Sequence, residues 1–506
     1  VGLFVRKVKT ASGATAVQIA SKTRGVRTIV EHLGSAHDDA QLAVLVAVAR
    51  DRIAELRGQG EFDLDALLPT PSATAAPTVT GSRSRVLWEV LEDAYAALGF
   101  DAIGDETFKQ LVLARVVEPT SKADTLRVWA ALGVPGTPSL STVWRTLARS
   151  IEHDWRGRAA AAAYAHATRA GALTLVLYDV TTLYFEAEYE DGLRKVGMSK
   201  ERRVDPQILV GLLVDAGGFP LEVHAFPGNK GETLTLLPVL DAFRARHGVE
   251  ELVVVADAGM LSAANLNAVE DAGFRFIVGS RTSSAPHDLT PHFERHGNAF
   301  ADGQIIETVR TMGTGAKARQ RRVVWHYSFK RDKRDNLTLN KQIERAEKIA
   351  DGSRPAKRDR FVTIDGKSVG VNWAQIEKAR TWQGLKGYVS NIPKGVLDGA
   401  GVVAAYHDLF QVEASFRMAK TDLRARPMFA SKEESIQAHL TVVFCALAIS
   451  RHLHAATGVT IRRIVRALRP LRDVVISIDG HQLTAETPAA GEGAEILAKL
   501  RSAAGH

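Results

Sequence analysis

Between Ala172 and Gly279 short apolar runs of strand character alternate with helical stretches, and this alternation leaves the chain little freedom of fold. Ala172 to Val180, Ile208 to Asp215 and Leu221 to Phe226 read as strands, followed by a Pro227-Gly228-Asn229 turn and a helix from Glu232 to Arg246. Leu252 to Ala256 is a continuous apolar strand, Ser262 to Ala272 a helix and Arg275 to Gly279 a further strand. Unbroken Val/Ile/Leu runs belong to strands covered on both faces, so the segment predicts a mixed α/β sheet. From Thr282 to Ile376 the alternation stops: β-like pieces such as Arg322 to Phe329 and a charged helix from Leu339 to Ile349 predict an insertion. The strand Gly387 to Asn391 and a long helix from Val402 to Lys420 then resume the core pattern.

The rest of the chain divides around this core. Residues 1–60 read as a basic β/α unit whose strands carry Arg6, Lys7, Lys9, Lys22, Arg24 and Arg27. Residues 69–84, rich in Pro, Thr, Ser, Ala and Gly without apolar period, read as a linker. Residues 85–170 form a helical, DNA-binding candidate domain; Leu126 to Leu132, a Gly133-Val134-Pro135-Gly136 turn and a second helix capped by Ser139 or Ser141 are similar to a helix-turn-helix. Residues 171–281 and 381–456 are the two parts of the core, 282–380 a basic, β-rich insertion, and 457–506 C-terminal helices with a tail from Thr484 that is loosely held apart from a last helix at Ala494 to Ser502.

Composition excludes several classes. With 506 residues, 45% hydrophobic and 24% charged, the chain is neither disordered, collagenous nor a coiled coil. Its one cysteine, Cys445, excludes an internal disulfide and a cysteine-held zinc, and fits a reducing compartment. The apolar run Thr441 to Ile449 is too short to cross a bilayer and no apolar leader opens the sequence, so a cytoplasmic protein without membrane attachment is expected. The net charge of +8 and a pI near 9.4 favour a polyanionic partner.

Two aspartates hold equivalent places: Asp179 follows the run Leu173 to Tyr178, and Asp257 follows Leu252 to Ala256. A carboxylate at the C-terminal end of a buried strand stands at the mouth of an open α/β sheet, where ligands bind, although such a residue can equally cap the helix that follows. On a straight helix, Tyr406, Glu413, Arg417 and Lys420 fall within about 60° of one another, beside an apolar stripe of Leu409, Val412, Phe416 and Leu423. One carboxylate among cations and a phenol suits a metal ligand flanked by phosphate contacts; a solvated amphipathic helix shows mixed charge as well. In the insertion, Arg321, Arg322 and Lys330 lie among further cations and the rings of Trp325, His326, Tyr327 and Phe329. Cations track a nucleic-acid backbone and rings stack on unpaired bases, whereas a plain strand would turn the rings inward. No Walker A loop and no His-Glu-x-x-His occurs.

Tyr406, Glu413 and Lys420 keep the spacing of a Tyr-x2-Arg-x3-Glu-x6-Lys signature, with Leu409 where the arginine belongs. Leu177 to Thr182, Leu209 to Asp215, Phe226 to Asn229, Val255 to Met260 and Leu423 to Pro427 also match in order. With these motifs the chain resembles the DDE transposases of bacterial insertion sequences that carry a YREK signature and a β-rich insertion in an RNase H-like core. The resemblance implies that Asp179, Asp257 and Glu413 bind two Mg²⁺ or Mn²⁺ ions, and that Tyr406 and Lys420 grip phosphate; Leu409 removes one expected phosphate contact, for which Arg417, one helical turn beyond Glu413, is the candidate substitute. In the resembling enzymes a tryptophan of the insertion can hold a flipped base; Trp382, ahead of Trp325, is the candidate here, with burial in the core the more common fate of either ring. The implied partners are double-stranded DNA, both transposon ends and target, and a second copy of the chain in a synaptic complex. The other readings are a different RNase H-like nuclease and a catalytically inactive DNA-binding descendant, to which Leu409 is the pointer.

Overall fold

The structure is a computed structural model and describes residues 2–10, 14–23, 26–36, 38–58, 77–185, 189–198, 204–260, 262–280, 286–355, 357–365, 368–426, 428, 432–478 and 481–504. Two compact units emerge, Val1–Ala76 and Pro77–His506. In the first, β1 (Gly2–Lys9), β2 (Thr15–Thr23) and β3 (Val26–Ala36) form an antiparallel meander beside α1 (Asp39–Gly58). Val17 and Ile19, two residues apart on β2, meet Ala49 and Ile53 of α1, so strand period and helix period share one small core. Lys7, Lys9, Lys22 and Arg27 are exposed; Arg24 lies outside the described residues.

The second unit opens with β4 (Thr78–Arg83) and the helices α2 (Arg85–Ala97), α3 (Glu106–Val117), α4 (Thr125–Leu132), α5 (Leu140–Glu152) and α6 (Trp155–Ala167). The central sheet follows as β5 (Leu175–Tyr184), β6 (Gln207–Asp215), β7 (Pro220–Pro227), α7 (Leu236–His247), β8 (Val253–Ala256), α8 (Ala263–Asp271) and β9 (Arg275–Gly279). The insertion holds α9 (Thr290–His296), β10 (Ile305–Met312), β11 (Arg319–Tyr327), α10 (Phe329–Ala350), β12 (Val362–Asp365), β13 (Ser368–Val371) and α11 (Trp373–Arg380). The chain returns through β14 (Leu385–Ser390), α12 (Gly399–His407), α13 (Phe410–Arg417), α14 (Glu433–Thr457), α15 (Ile461–Leu468), β15 (Asp473–Ile478), β16 (His481–Glu486) and α16 (Gly491–Ala504).

Eight strands make one sheet in the order β10-β11-β14-β9-β8-β5-β6-β7. β5, β6 and β7 are successively antiparallel, whereas β8 runs parallel to β5 and β9 parallel to β8. β14, β11 and β10 continue the sheet antiparallel beyond β9, so the insertion lengthens the catalytic candidate's sheet. Alternation sorts each strand between two layers: Val176, Tyr178 and Val180 pack with Val239, Phe243 and Val269 of α7 and α8, while Leu177 and Leu183 face the side of α12, α13 and α14. Each such apolar side chain, fully buried, contributes about 1.5–3 kcal/mol. α14 is apolar on nearly all sides; its length and composition would allow a membrane span, but 78% of its most apolar window is buried, as in a core helix.

Four expectations change. The helices of residues 85–170 share one hydrophobic core with α14, since α2, α3, α5 and α6 all pack on it, and are not a separate body. The end of the expected linker, Thr78–Arg83, is a strand paired with β15, and the expected loose tail supplies β16 to the same three-stranded sheet. The insertion carries more helix than strand, with α10 and α11 closing a core of its own around Leu339, Ile343, Phe361 and Ile376. The helix expected from Val402 to Lys420 is broken: α12 ends at His407, α13 spans Phe410–Arg417, and Met418–Asp422 is a π turn.

Candidate functional site

β5 and β8 pair in parallel with Tyr178 opposite Ala256, and the residue after each is an aspartate. Neighbouring strands lie about 4.8 Å apart, so Asp179 and Asp257 sit side by side on the edge nearest α12 and α13. The phenol of Tyr406, at the end of α12, donates to Asp257 Oδ1 at 3.0 Å. Its ring lies 4.8 Å from that of Tyr388, and the Lys386 ammonium lies 5.4 Å from its centre. The absence of a side chain at Gly279 makes this possible: a Cβ there would run into the Tyr406 hydroxyl and stand 3.1 Å from Lys386 Nζ. Burial, reinforced by the negative charge of Asp257, pushes the Tyr406 phenol far up, so it stays a donor. Burial pushes the Lys386 ammonium down, helped by Arg331 and opposed by Asp257.

Glu413 is exposed on α13, whose buried side carries Val412 and Phe416. Beyond it, in the π turn, Lys420 Nζ donates to Thr181 Oγ1, two residues past Asp179 on β5. The segment carrying Glu413 is therefore tied to the sheet at both ends, through Tyr406 to Asp257 and through Lys420 to Thr181. Arg417 is exposed one turn beyond Glu413. Leu409, at the break between α12 and α13, is 6% exposed and belongs to the core. An arginine at this position would need to be buried, so the departure from the signature follows the packing of this chain. Among the described residues no three His, Cys, Asp or Glu side chains converge as a metal cage. Asp179 and Asp257 fit as adjacent hard-oxygen donors, and Glu413 is not gathered with them in this conformation.

The basic insertion differs from expectation. Trp325 is 1% exposed and donates its indole N–H to Asp288 Oδ2 at 2.7 Å, which removes it from any surface. Arg321 is equally buried, bonded to Asn267 and Glu270 of α8. Arg322 pairs with Glu307 at 3.0 Å and caps the carbonyl of Leu397, so both arginines serve the fold rather than a nucleic-acid backbone. Lys330 is exposed at the start of α10. Trp382 is half-buried and lines a cleft of about 440 Å³ with Arg331, Arg360, Lys386 and Ala258, the residue after Asp257. Reading by residue type missed Lys386, Tyr388 and Thr181; a lysine immediately before the expected strand Gly387 to Asn391 was the available signal for the first. In the helical region Ser139 Oγ accepts from Thr142 N–H at 3.2 Å and starts α5, which exposes Trp144 (50%) and Arg145.

No curated protein sequence matches the chain. Among solved structures, a cryo-EM structure of the piggyBac transposase synaptic complex with hairpin DNA is similar at a TM-score of 0.36 and 9% identity, covering 76% of this chain and 77% of that one. The family described as the transposase DDE domain matches residues 171–449, from the start of the central sheet to the middle of α14. That match spans more than half of the sequence and contains both aspartates, Glu413 and Lys420, and the chain belongs to the DDE transposase family.

Proposed function

We propose that the protein is the transposase of an insertion sequence, which binds transposon ends and cuts and joins DNA strands in cut-and-paste fashion. The observation that carries this reading is the side-by-side placement of Asp179 and Asp257 on parallel neighbouring strands. The strand order β7-β6-β5-β8-β9, with its antiparallel and parallel halves, supports an RNase H-like core. Asp179, Asp257 and Glu413 would hold divalent ions, Mg²⁺ or Mn²⁺; two such ions, when bound, polarise a phosphodiester and stabilise attacking and leaving oxygens. Tyr406 holds the Asp257 carboxylate in orientation through its phenol proton. Lys420 and the exposed Arg417 present charge to the phosphates, and the Trp382 cleft takes an unstacked base beside the cut. Water attacks phosphorus and gives up a proton to solvent while the 3′-oxygen departs and takes one; the freed 3′-hydroxyl then attacks a second phosphodiester, losing its proton as the P–O bond to that strand's own 3′-oxygen breaks and the departing oxygen is protonated. Two copies of the chain hold two ends in a synaptic complex within the cytoplasm.

The deciding experiment is cleavage of a supercoiled plasmid carrying the element's ends, with Mg²⁺, Mn²⁺ or EDTA, comparing wild type with Glu413→Gln. Metal-dependent cuts at the ends, lost in the variant, are the expected result. End binding without cuts under any metal would replace the proposal with that of an inactive DNA-binding descendant. Tyr406→Phe should keep end binding and slow cleavage about tenfold, the order expected for one hydrogen bond to a charged group. Because the phenol stays protonated, that factor should be constant from about pH 6 to 9; an unchanged rate would remove Tyr406 from the site.

A further inference from the structure

Beyond the π turn lies a groove of about 690 Å³ that the chemistry above does not use. Val116 and Val117 from the end of α3 and Ile461 and Val465 of α15 line it with apolar surface. Five arginines line it as well, Arg424, Arg462, Arg466, Arg469 and Arg472, against two carboxylates, Glu118 and Asp422. Three of the arginines are held in place: Arg462 by Asp422 at 2.8 Å, Arg469 by Glu118 at 3.0 Å, and Arg472 by the carbonyl of Ala131 at 2.9 Å. Among the described residues neither Arg424 nor Arg466 meets a carboxylate, and both are exposed.

Arg424 is built into this position. Its φ of 44° lies in the left-handed region, which a side chain other than glycine's rarely adopts, and strain of this kind gathers at functional places. Leu423 N–H bonds back to Met418 and Ala425 N–H to Ala419, and both flanking residues are buried, so the guanidinium is turned outward. The same turn contains Lys420, whose ammonium reaches Thr181 on β5. Arg424 thus lies four residues from a group already assigned to phosphate.

We infer that this groove is a second nucleic-acid site, which seats the phosphodiester backbone of duplex DNA away from the cut, with Arg424 and Arg466 as its phosphate ligands. Arginine is the residue for this task, since its planar fork matches phosphate oxygens. Ion-paired Arg462 and Arg469 shape the walls, and the two unpaired cations carry the attraction. The inference extends the proposed function and assigns the groove no step in cleavage.

The test is binding of a short fluorescein-labelled duplex of random sequence to the full chain in EDTA, so that cutting plays no part. Arg424→Gly together with Arg466→Ala is compared with wild type; glycine relaxes the left-handed backbone, and the thermal midpoint reports that folding is intact. Each lost phosphate contact reduces the slope of log affinity against log salt by about 0.9, so the double variant should lose roughly two units of slope between about 50 and 200 mM salt. Arg345→Ala with Lys348→Ala, which removes equal charge from ion-paired sites on α10, should change it less. A slope equal to wild type, or equal to that of the α10 pair, overturns the groove assignment. Asp257→Asn in the same assay separates the two ideas: normal binding there with an unmoved groove variant leaves the catalytic reading standing, and absence of DNA binding by wild type removes both.

Discussion

Asp179→Asn and Asp257→Asn are each expected to lower strand cleavage by about a thousandfold or more and to leave end binding within a few-fold of wild type. Charge stabilisation by a bound cation in phosphoryl transfer is worth several kcal/mol, and each 1.4 kcal/mol is a factor of ten. Asparagine keeps the volume of the carboxylate, and at residue 257 its amide oxygen still accepts the Tyr406 proton, so the substitution removes charge and little else. Cleavage of end DNA at saturating Mg²⁺ and gel-shift binding of the same DNA give the two readings. Cleavage retained within tenfold by either variant would strike that residue from the site. Loss of both binding and cleavage with a lowered melting temperature would assign it to the fold.

Gly228→Ala should cost about 3 kcal/mol of stability. The backbone at Gly228 is not left-handed; the constraint is space. Its N–H bonds to Leu193 carbonyl at 3.1 Å, its carbonyl accepts from Gln207 Nε2 at 3.2 Å, and a Cβ would run into the carbonyl oxygens of Gln207 and Lys195. Those two residues form the bridge that ties the loop before β6 to the start of that strand, so no flexible side chain can yield. The expected result is a lowered chemical-denaturation midpoint with a matching loss of soluble protein. A midpoint equal to wild type would show that the loop opens freely and that the Pro227-Gly228-Asn229 turn has another purpose.

The strands that bear the aspartates were legible because they are covered on both faces and their residues are almost purely apolar. β4 and β16 were not: every residue of β16 is exposed, and it pairs through its backbone alone, so no apolar alternation marks it. Arg321 and Trp325 were misread for a different reason. Their partners, Asn267, Glu270 and Asp288, come from other elements far along the chain, and residue type cannot announce such a partner. Parity offered a hint, since Arg321, Val323, Trp325 and Tyr327 occupy one face of β11 and all are buried. The spacing of Tyr406, Glu413 and Lys420 is visible in sequence, but their shared face holds only on a straight helix. The break at Leu409 and the π turn redirect both ends, and the contacts with Asp257 and Thr181 depend on that redirection.

The eight-stranded sheet also has a mechanical meaning. Tyr388 of β14 is in register with Gly279, and β8 is hydrogen-bonded to β9, so a continuous ladder runs from Ala256, the residue before Asp257, to the strand that follows Trp382. A cleft carried on a hinged module would have to be aimed at the aspartates afresh in every turnover. Here the spacing between the place where an unstacked base would rest and the place where its backbone would break is a fixed length set by a few strand widths. Under the proposed function, a nucleic acid that fits one point of that gauge would thereby be measured at the other.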